Sequence, residues 1–300
     1  MQVLISGSTG LIGSAVAADL ENRGHRITRL IRDESRQNKH TLLWDPESGI
    51  IHEREKLSGM DAVIHFAGSP IFGRWTPRRK AEIRDSRVRG TETLAKALAD
   101  SERKPSVFLS TSGINYYGDR GEEISTEQTD ATDDFLAGVC KDWEAATAPA
   151  AEAGVRVVPM RMGMVLSPNG GALKTMLRPF RMGLGGRVGS GTQYMSWISI
   201  HDVCGIIRHL IADENISGPV NLVSPAPVTN LEFTRTLGRV LSRPTIVPVP
   251  AFMARLILGE MGEALLLASQ RVMPARLQQS GYSFVHAELE DALRALLKKG

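Results

Sequence analysis

Short apolar runs alternate with longer segments of helical spacing along most of the chain. Val3 to Ser6 reads as a buried strand, Leu11 to about Arg23 as a helix and, after Gly24-His25, Arg26 to Ile31 as a second strand. The pattern then repeats. Asp61-Ala62-Val63-Ile64-His65-Phe66 predicts a buried strand ending in Ala67-Gly68, Pro77 to Ala99 a helix, and Ser106 to Ser112 a strand. Asp133 to Glu152 predicts one long helix and Val155 to Met160 another strand. Strands alternating with helices in this way imply an α/β fold built on a doubly wound parallel sheet. From Ser167 to Gly191 the pattern gives way to glycine-rich, basic sequence, including Gly170-Gly171 and Gly183-Leu184-Gly185-Gly186. Trp197 to Ile200 then leads into a helix expected to open at Asp202, and Val220 to Val223 reads as a further strand. The remainder predicts a helix capped at Asn230, a proline-punctuated stretch from Pro244 to Pro250 and a final helix from Ala287 to Leu297. The expected division is residues 1–166 with 199–223 for the sheet domain, and 167–198 with 224–300 for a smaller one.

Chemistry enters where the first strand meets the first helix. Gly7-Ser8-Thr9-Gly10-Leu11-Ile12-Gly13 spaces three glycines so that Gly7 turns the chain, Gly10 lets backbone approach a ligand and Gly13 packs the helix closely. The helix amides would then face a pyrophosphate. The strand before and the helix after lift this triplet above an ordinary glycine turn. At the end of the second strand, where an NAD-selecting protein places Asp or Glu, the chain has Arg32, with Arg29 and Arg36 nearby and Asp33 as the opposing charge. Positive charge suits a 2′-phosphate, so NADP(H) is favoured over NAD(H). The alternative is that Arg32 is a solvated residue at a strand end.

Composition narrows the function classes. With 300 residues, 42% of them hydrophobic, the chain can bury a large core, and a net charge of +3 spread among acids with only 5% aromatics gives little support to nucleic-acid binding. Cys140 and Cys204 lie far apart without metal-type spacing, which fits a reducing compartment and predicts no metal site. No run reaches the roughly 18 apolar residues of a membrane span, and the first strand follows Met1 directly, leaving no room for a signal peptide. A cytoplasmic protein independent of membranes is therefore expected. His65 reads as a core histidine and Asp133-Asp134 as a helix cap.

Further motifs carry a resemblance: Arg74-Trp75 with Glu82-Ile83-Arg84-Asp85-Ser86-Arg87, Asp142-Trp143-Glu144, Arg161-Met162-Gly163-Met164-Val165-Leu166, Pro179 to Gly186, and Arg271-Val272-Met273-Pro274. With the glycine loop and Ala67-Gly68, they make the chain resemble, over essentially its whole length, the extended branch of the short-chain dehydrogenase/reductase superfamily. Within that branch it is similar to an atypical epimerase-family group with its own C-terminal domain of unknown function. The resemblance implies a Rossmann sheet with a smaller C-terminal, substrate-side domain. It also implies NADP as cofactor and a small or sugar-nucleotide-like carbonyl or alcohol as substrate. Gly7, Thr9, Gly10, Leu11, Ile12 and Gly13 would hold the pyrophosphate, Ile31 and Arg32 would flank the adenosine ribose, and Phe66, Ala67 and Gly68 would line the cofactor. Glu82 and Arg87 would touch it, with Glu82 orienting the guanidinium, and Val165 would sit near the nicotinamide.

The superfamily's proton-passing tyrosine and the lysine four residues later are missing. The resemblance puts Leu136 and Cys140 at their positions. Ser112 remains as the candidate orienting hydroxyl and Tyr116 or Tyr117 as a proton source, so Ser112 and Tyr117 are the catalytic candidates. The substrate pocket is expected between the cofactor and residues 170–197 and 230–277. A second function class stays open, a non-catalytic NADP(H)-binding regulatory or interaction protein that senses redox state. The substrate and the oligomeric state, with a homodimer among the alternatives, are not legible.

Overall fold

The alternating pattern folds into one eight-stranded sheet, seen in a computed structural model that describes residues 1–297. Its strands are β1 (Gln2–Ser6), β2 (Arg26–Ile31), β3 (Thr41–Asp45), β4 (Ile50–Ile51), β5 (Ala62–His65), β6 (Val107–Gly113), β7 (Arg156–Met162) and β8 (Val220–Leu222). They lie in the order β8-β7-β6-β5-β1-β2-β3-β4. All neighbours are parallel except the edge strand β4, which runs antiparallel to β3. Because β1 has β2 on one side and β5 on the other, the connections leave it in opposite directions. Ligands of such sheets sit at this switch point, beyond the carboxyl ends of the strands.

Successive strand residues point to opposite faces, and both faces are covered. Val3, Ile5, Ile64, Leu109 and Val158 pack with Val16 and Leu20 of α1 (Leu11–Asn22) and with Val203, Ile206 and Leu210 of the helix Ile200–Ala212. Leu4, Leu30, Leu42, Val63 and Phe108 pack on the other side with Leu94 and Leu98 of α2 (Pro77–Ala99). The first of these clusters does not stop at the sheet. It continues through Leu173, Leu177 and Phe180, Phe233 and Leu237, and Leu289 and Leu293, so the C-terminal part shares its core with the sheet.

Several elements differ from the sequence reading. The long helix expected from Asp133 to Glu152 is two, α3 (Phe135–Ala145) and α4 (Ala148–Glu152), because Pro149 has no N–H to continue the helical ladder. Asp134 caps α3 as expected, its carboxylate accepting from the Ala137 N–H at 3.1 Å. The glycine-rich segment conceals a helix, α5 (Gly171–Arg181), whose Leu173, Leu177 and Phe180 recur at helical spacing. The helix expected to open at Asp202 is α6 (Ile200–Ala212), capped by Ser199, and the one expected to be capped by Asn230 is α7 (Asn230–Leu241), capped by a Thr229–Glu232 capping box. Asp202 is instead fully buried, and its carboxylate accepts from the Ser199 hydroxyl and from the backbone N–H groups of Val285 and His286. It ties the C-terminal segment to the sheet. The chain closes through α8 (Ala251–Leu258) and α9 (Leu289–Leu297).

Candidate functional site

At the switch point Gly7 and Gly13 take the turning and packing roles that the spacing implied. Gly7 has φ +65°, and a Cβ there would lie 2.8 Å from the Phe66 carbonyl carbon. At Gly13 a Cβ would lie 2.3 Å from the Gly7 oxygen. Both glycines are required by the protein itself. Gly10 is different: it is exposed and extended (φ −74°, ψ 171°), and its Cβ would meet only the Gly7 oxygen, at 3.3 Å. The α1 N-terminus has neither a side-chain cap nor an acidic residue in its first turn. Its first intrahelical bond runs from Ser14 N to Gly10 O, so the N–H groups of Leu11, Ile12 and Gly13 lack helical partners. Of the six helices of eleven residues or more among the described residues, α2, α3, α6 and α7 are capped by side chains, whereas α1 and α5 begin on bare glycines. These two converge, since Gly170 at the α5 N-terminus lies against Leu11. Two helix N-termini without side-chain caps thus meet at one place, and such termini favour anions.

The neighbouring wall is held by a buried relay. Ser6 Oγ accepts from the Phe66 and Ala67 N–H groups (3.2 and 3.3 Å), which commits its own proton to His65 Nδ1, 2.6 Å away. His65 Nε2 is buried without a hydrogen-bond partner among the described residues, and the imidazole meets the Trp44 ring edge to face. Burial pushes the His65 pKa down to about 4 from 6.5. The folded state therefore resists protonation that the unfolded chain accepts. Stability is full above pH 6.5 and falls as the pH drops toward 4, by about 3 kcal/mol from this group. Urea unfolding between pH 7.5 and 4.5 should show this loss, and His65→Gln should remove that component of the slope.

Next to this wall, Arg87 of α2 donates to the carbonyls of Ser69 and Ile83, both at 3.0 Å, packs over Trp143 and lies against Gly68. Burial lowers its pKa to about 10, which leaves it cationic at neutral pH. Beyond β6 lies an ion pair nearly closed to water. Arg161 at the end of β7 meets Glu144 of α3 through two parallel 2.8 Å bonds. Ser112 donates to the same carboxylate at 2.7 Å. Arg161 also donates to the Tyr117 hydroxyl at 2.8 Å, and that hydroxyl donates to Asn221 of β8, again at 2.8 Å. The arginine lies flat on the Tyr116 ring, 3.4 Å from its centroid.

The model of the NAD dependent epimerase/dehydratase family matches residues 3–222. The chain belongs to that family. Residues 249–296 match a second model, a domain of unknown function (DUF1731). This epimerase-family chain is 43% identical over 292 residues to an epimerase family protein of Mycobacterium bovis, spanning 97% of this chain and 96% of that one. The crystal structure of human epimerase family protein SDR39U1 (isoform 2) with NADPH matches with a TM-score of 0.89 at 32% identity, over 99% of both chains. That of a nucleoside-diphosphate sugar epimerase from Corynebacterium glutamicum matches with a TM-score of 0.81 at 37% identity, covering 99% of this chain and 58% of that one.

Within this epimerase-family fold, Gly7, Thr9, Gly10, Leu11, Ile12, Gly13, Ile31, Arg32, Phe66, Ala67 and Gly68 gather at the carboxyl ends of β1, β2 and β5. Val165 joins them through the α5 N-terminus, 3.8 Å from the Cβ position of Gly171 by its carbonyl. Three readings are corrected. Glu82 does not orient Arg87: it is exposed and pairs with Arg78 and Arg79 one turn back on α2 (3.2 and 3.0 Å). Nor is Tyr117 a poised proton donor. It is fully buried, its proton is held by Asn221, and burial pushes its pKa up to about 12. Ser112 is 2% exposed with its proton committed to Glu144, so it braces the ion pair and is not a free orienting hydroxyl. Leu136 and Cys140 are buried on α3, and burial pushes the Cys140 thiol up to about 11. Reasoning from the sequence missed the Glu144–Arg161 pair, although both residues stood inside motifs already singled out.

Proposed function

We propose that this epimerase-family protein binds NADP(H) in preference to NAD(H) and transfers hydride to or from a small or sugar-nucleotide-like carbonyl or alcohol. The observation that carries the cofactor choice is the state of the charges after β2. Arg29 is engaged by Glu21 at 2.6 Å, Arg36 by Asp33 at 3.2 Å, and Asp33 also accepts from Ser35, which holds its carboxyl below the usual range. Arg32 is exposed and has no ion-pair partner among the described residues. The opposing carboxylate is spent locally, which leaves Arg32, directly after the strand, unpaired and able to meet a 2′-phosphate. The NADPH in the human relative's crystal structure supports the same reading.

NADPH should bind more tightly than NADH, and Arg32→Ala should narrow the gap by about 1.5–3 kcal/mol, the scale of a hydrogen bond to a charged group. Fluorescence or calorimetric titration of both dinucleotides checks this, and equal affinities in the unaltered protein would remove the argument. Hydride transfer is tested by whether any carbonyl compound accelerates oxidation of bound NADPH. A second reading, a redox-sensing protein without turnover, is favoured by the buried Leu136 and Cys140 and by the locked Tyr117. It predicts tight NADPH binding, no substrate in a broad carbonyl and alcohol screen, and a partner whose affinity changes with cofactor redox state.

A further inference from the structure

Helix α8 is inside out. Only Ala254 is buried, while Phe252 (66% exposed), Leu256 (81%), Ile257 (70%) and Met253 face solvent, the reverse of an ordinary surface helix. The segment leading into it exposes Ile246 and Val247, and it lies along the loop that exposes Met182 and Leu184. Arg243 Nε reaches the Arg181 carbonyl at 2.8 Å, Val247 N the Gly185 carbonyl at 3.3 Å, and Val249 N the Arg187 carbonyl at 2.8 Å. These bonds hold the two segments side by side, and both expose apolar side chains next to α8. Isolated exposed hydrophobics need no explanation, but a contiguous set of this size does.

Cations prevail in the segments that form this surface. Residues 167–201 and 233–259 contain eight Lys or Arg and no Asp or Glu, although the whole chain is nearly balanced at 36 against 33. Two of the eight are neutralised on the spot, Arg239 by Glu290 at 3.0 Å and Arg255 by Glu263 at 2.6 Å. Lys174, Arg178, Arg181, Arg187, Arg235 and Arg243 have no ion-pair partner among the described residues. Arg235, Arg239 and Arg243 also line an open cleft of about 530 Å³.

We propose that this face docks the protein peripherally on an anionic lipid surface, with the α8 side chains in the acyl boundary and the arginines among the headgroups. A bilayer of that kind supplies both halves of the complement, apolar interior and negative charge. A second copy of the chain would supply the apolar half but set unpaired cations against one another. No described helix is long and apolar enough to cross a membrane, so the contact is a surface one.

The test is co-sedimentation of the full chain with vesicles of phosphatidylcholine alone and of phosphatidylcholine mixed with phosphatidylglycerol. Binding is expected to the mixed vesicles only, weakening as salt is added. Leu256→Glu should abolish it, and Arg178→Ala with Arg181→Ala should lower the partition coefficient about 10- to 30-fold. Circular dichroism and thermal melting should match the unaltered protein, because the replaced side chains are exposed. Failure to bind the mixed vesicles, or binding unchanged by Leu256→Glu, overturns the proposal. So does a dimer in size-exclusion chromatography that Leu256→Glu converts to monomer, since the face would then be a contact between copies; capture of an acidic protein without vesicle binding has the same consequence.

Discussion

Gly10→Val should abolish NADP(H) binding and leave the fold intact. The backbone at Gly10 is extended, a conformation valine favours, and the only protein atom near its Cβ position is the Gly7 oxygen at 3.3 Å. The added isopropyl group would then occupy the space in front of the free N–H groups of Leu11 and Ile12. Two hydrogen bonds to a charged group at about 1.5–3 kcal/mol each correspond to a Kd raised about 10²- to 10⁴-fold. Gly13→Val is the contrasting variant. There the side chain would begin 2.3 Å from the Gly7 oxygen, so the loss should appear as unfolding. Titration with NADPH beside urea denaturation separates the two, and normal binding by Gly10→Val would show that the loop is not the phosphate site.

The parts of this fold that were legible are those in which local chemistry and tertiary structure agree. The α2 bounds, Pro77 to Ala99, follow from a proline at the start and an apolar stripe, and the need for glycine at 13 follows from its contact with Gly7 inside the loop itself. Legibility failed where distant residues decide. The glycines around α5 suggested a loop, yet Gly170 and Gly171 are the start of a helix pressed against Leu11, a contact between segments far apart in the sequence. Glu82 and Arg87, five positions apart on a helix, face different directions, whereas Glu82 with Arg78 or Arg79 has the spacing that meets. Tyr117 looked like a donor because its neighbours Asn221 and Arg161 lie 104 and 44 residues away. The site's cofactor half could be read because it is one βαβ unit. The half around Arg161 and Glu144 is assembled from four separate segments.

That assembled half sets the largest expected loss of stability. Arg161 is 3% exposed and Glu144 14%, and burial alone would lower the guanidinium pKa; the bonds to Glu144, with Tyr117 beside them, outweigh it and hold the Arg161 pKa above its ordinary value. Removing one partner leaves the other charge buried and unpaired, so Arg161→Ala and Glu144→Ala should each destabilise by about 3–5 kcal/mol. Tyr117→Phe should cost about 1–3 kcal/mol, because one donor of Arg161 and the Asn221 carbonyl lose their partner. The Glu144→Leu/Arg161→Met pair should lose far less than the sum of the single changes, since a matched apolar replacement removes both desolvation penalties together. Denaturant unfolding of the four variants measures this coupling. Were the single variants as stable as the parent, the pair would be carrying no structural load, and Ser112 and Tyr117, which hydrogen-bond to it, would again be candidates for the chemistry.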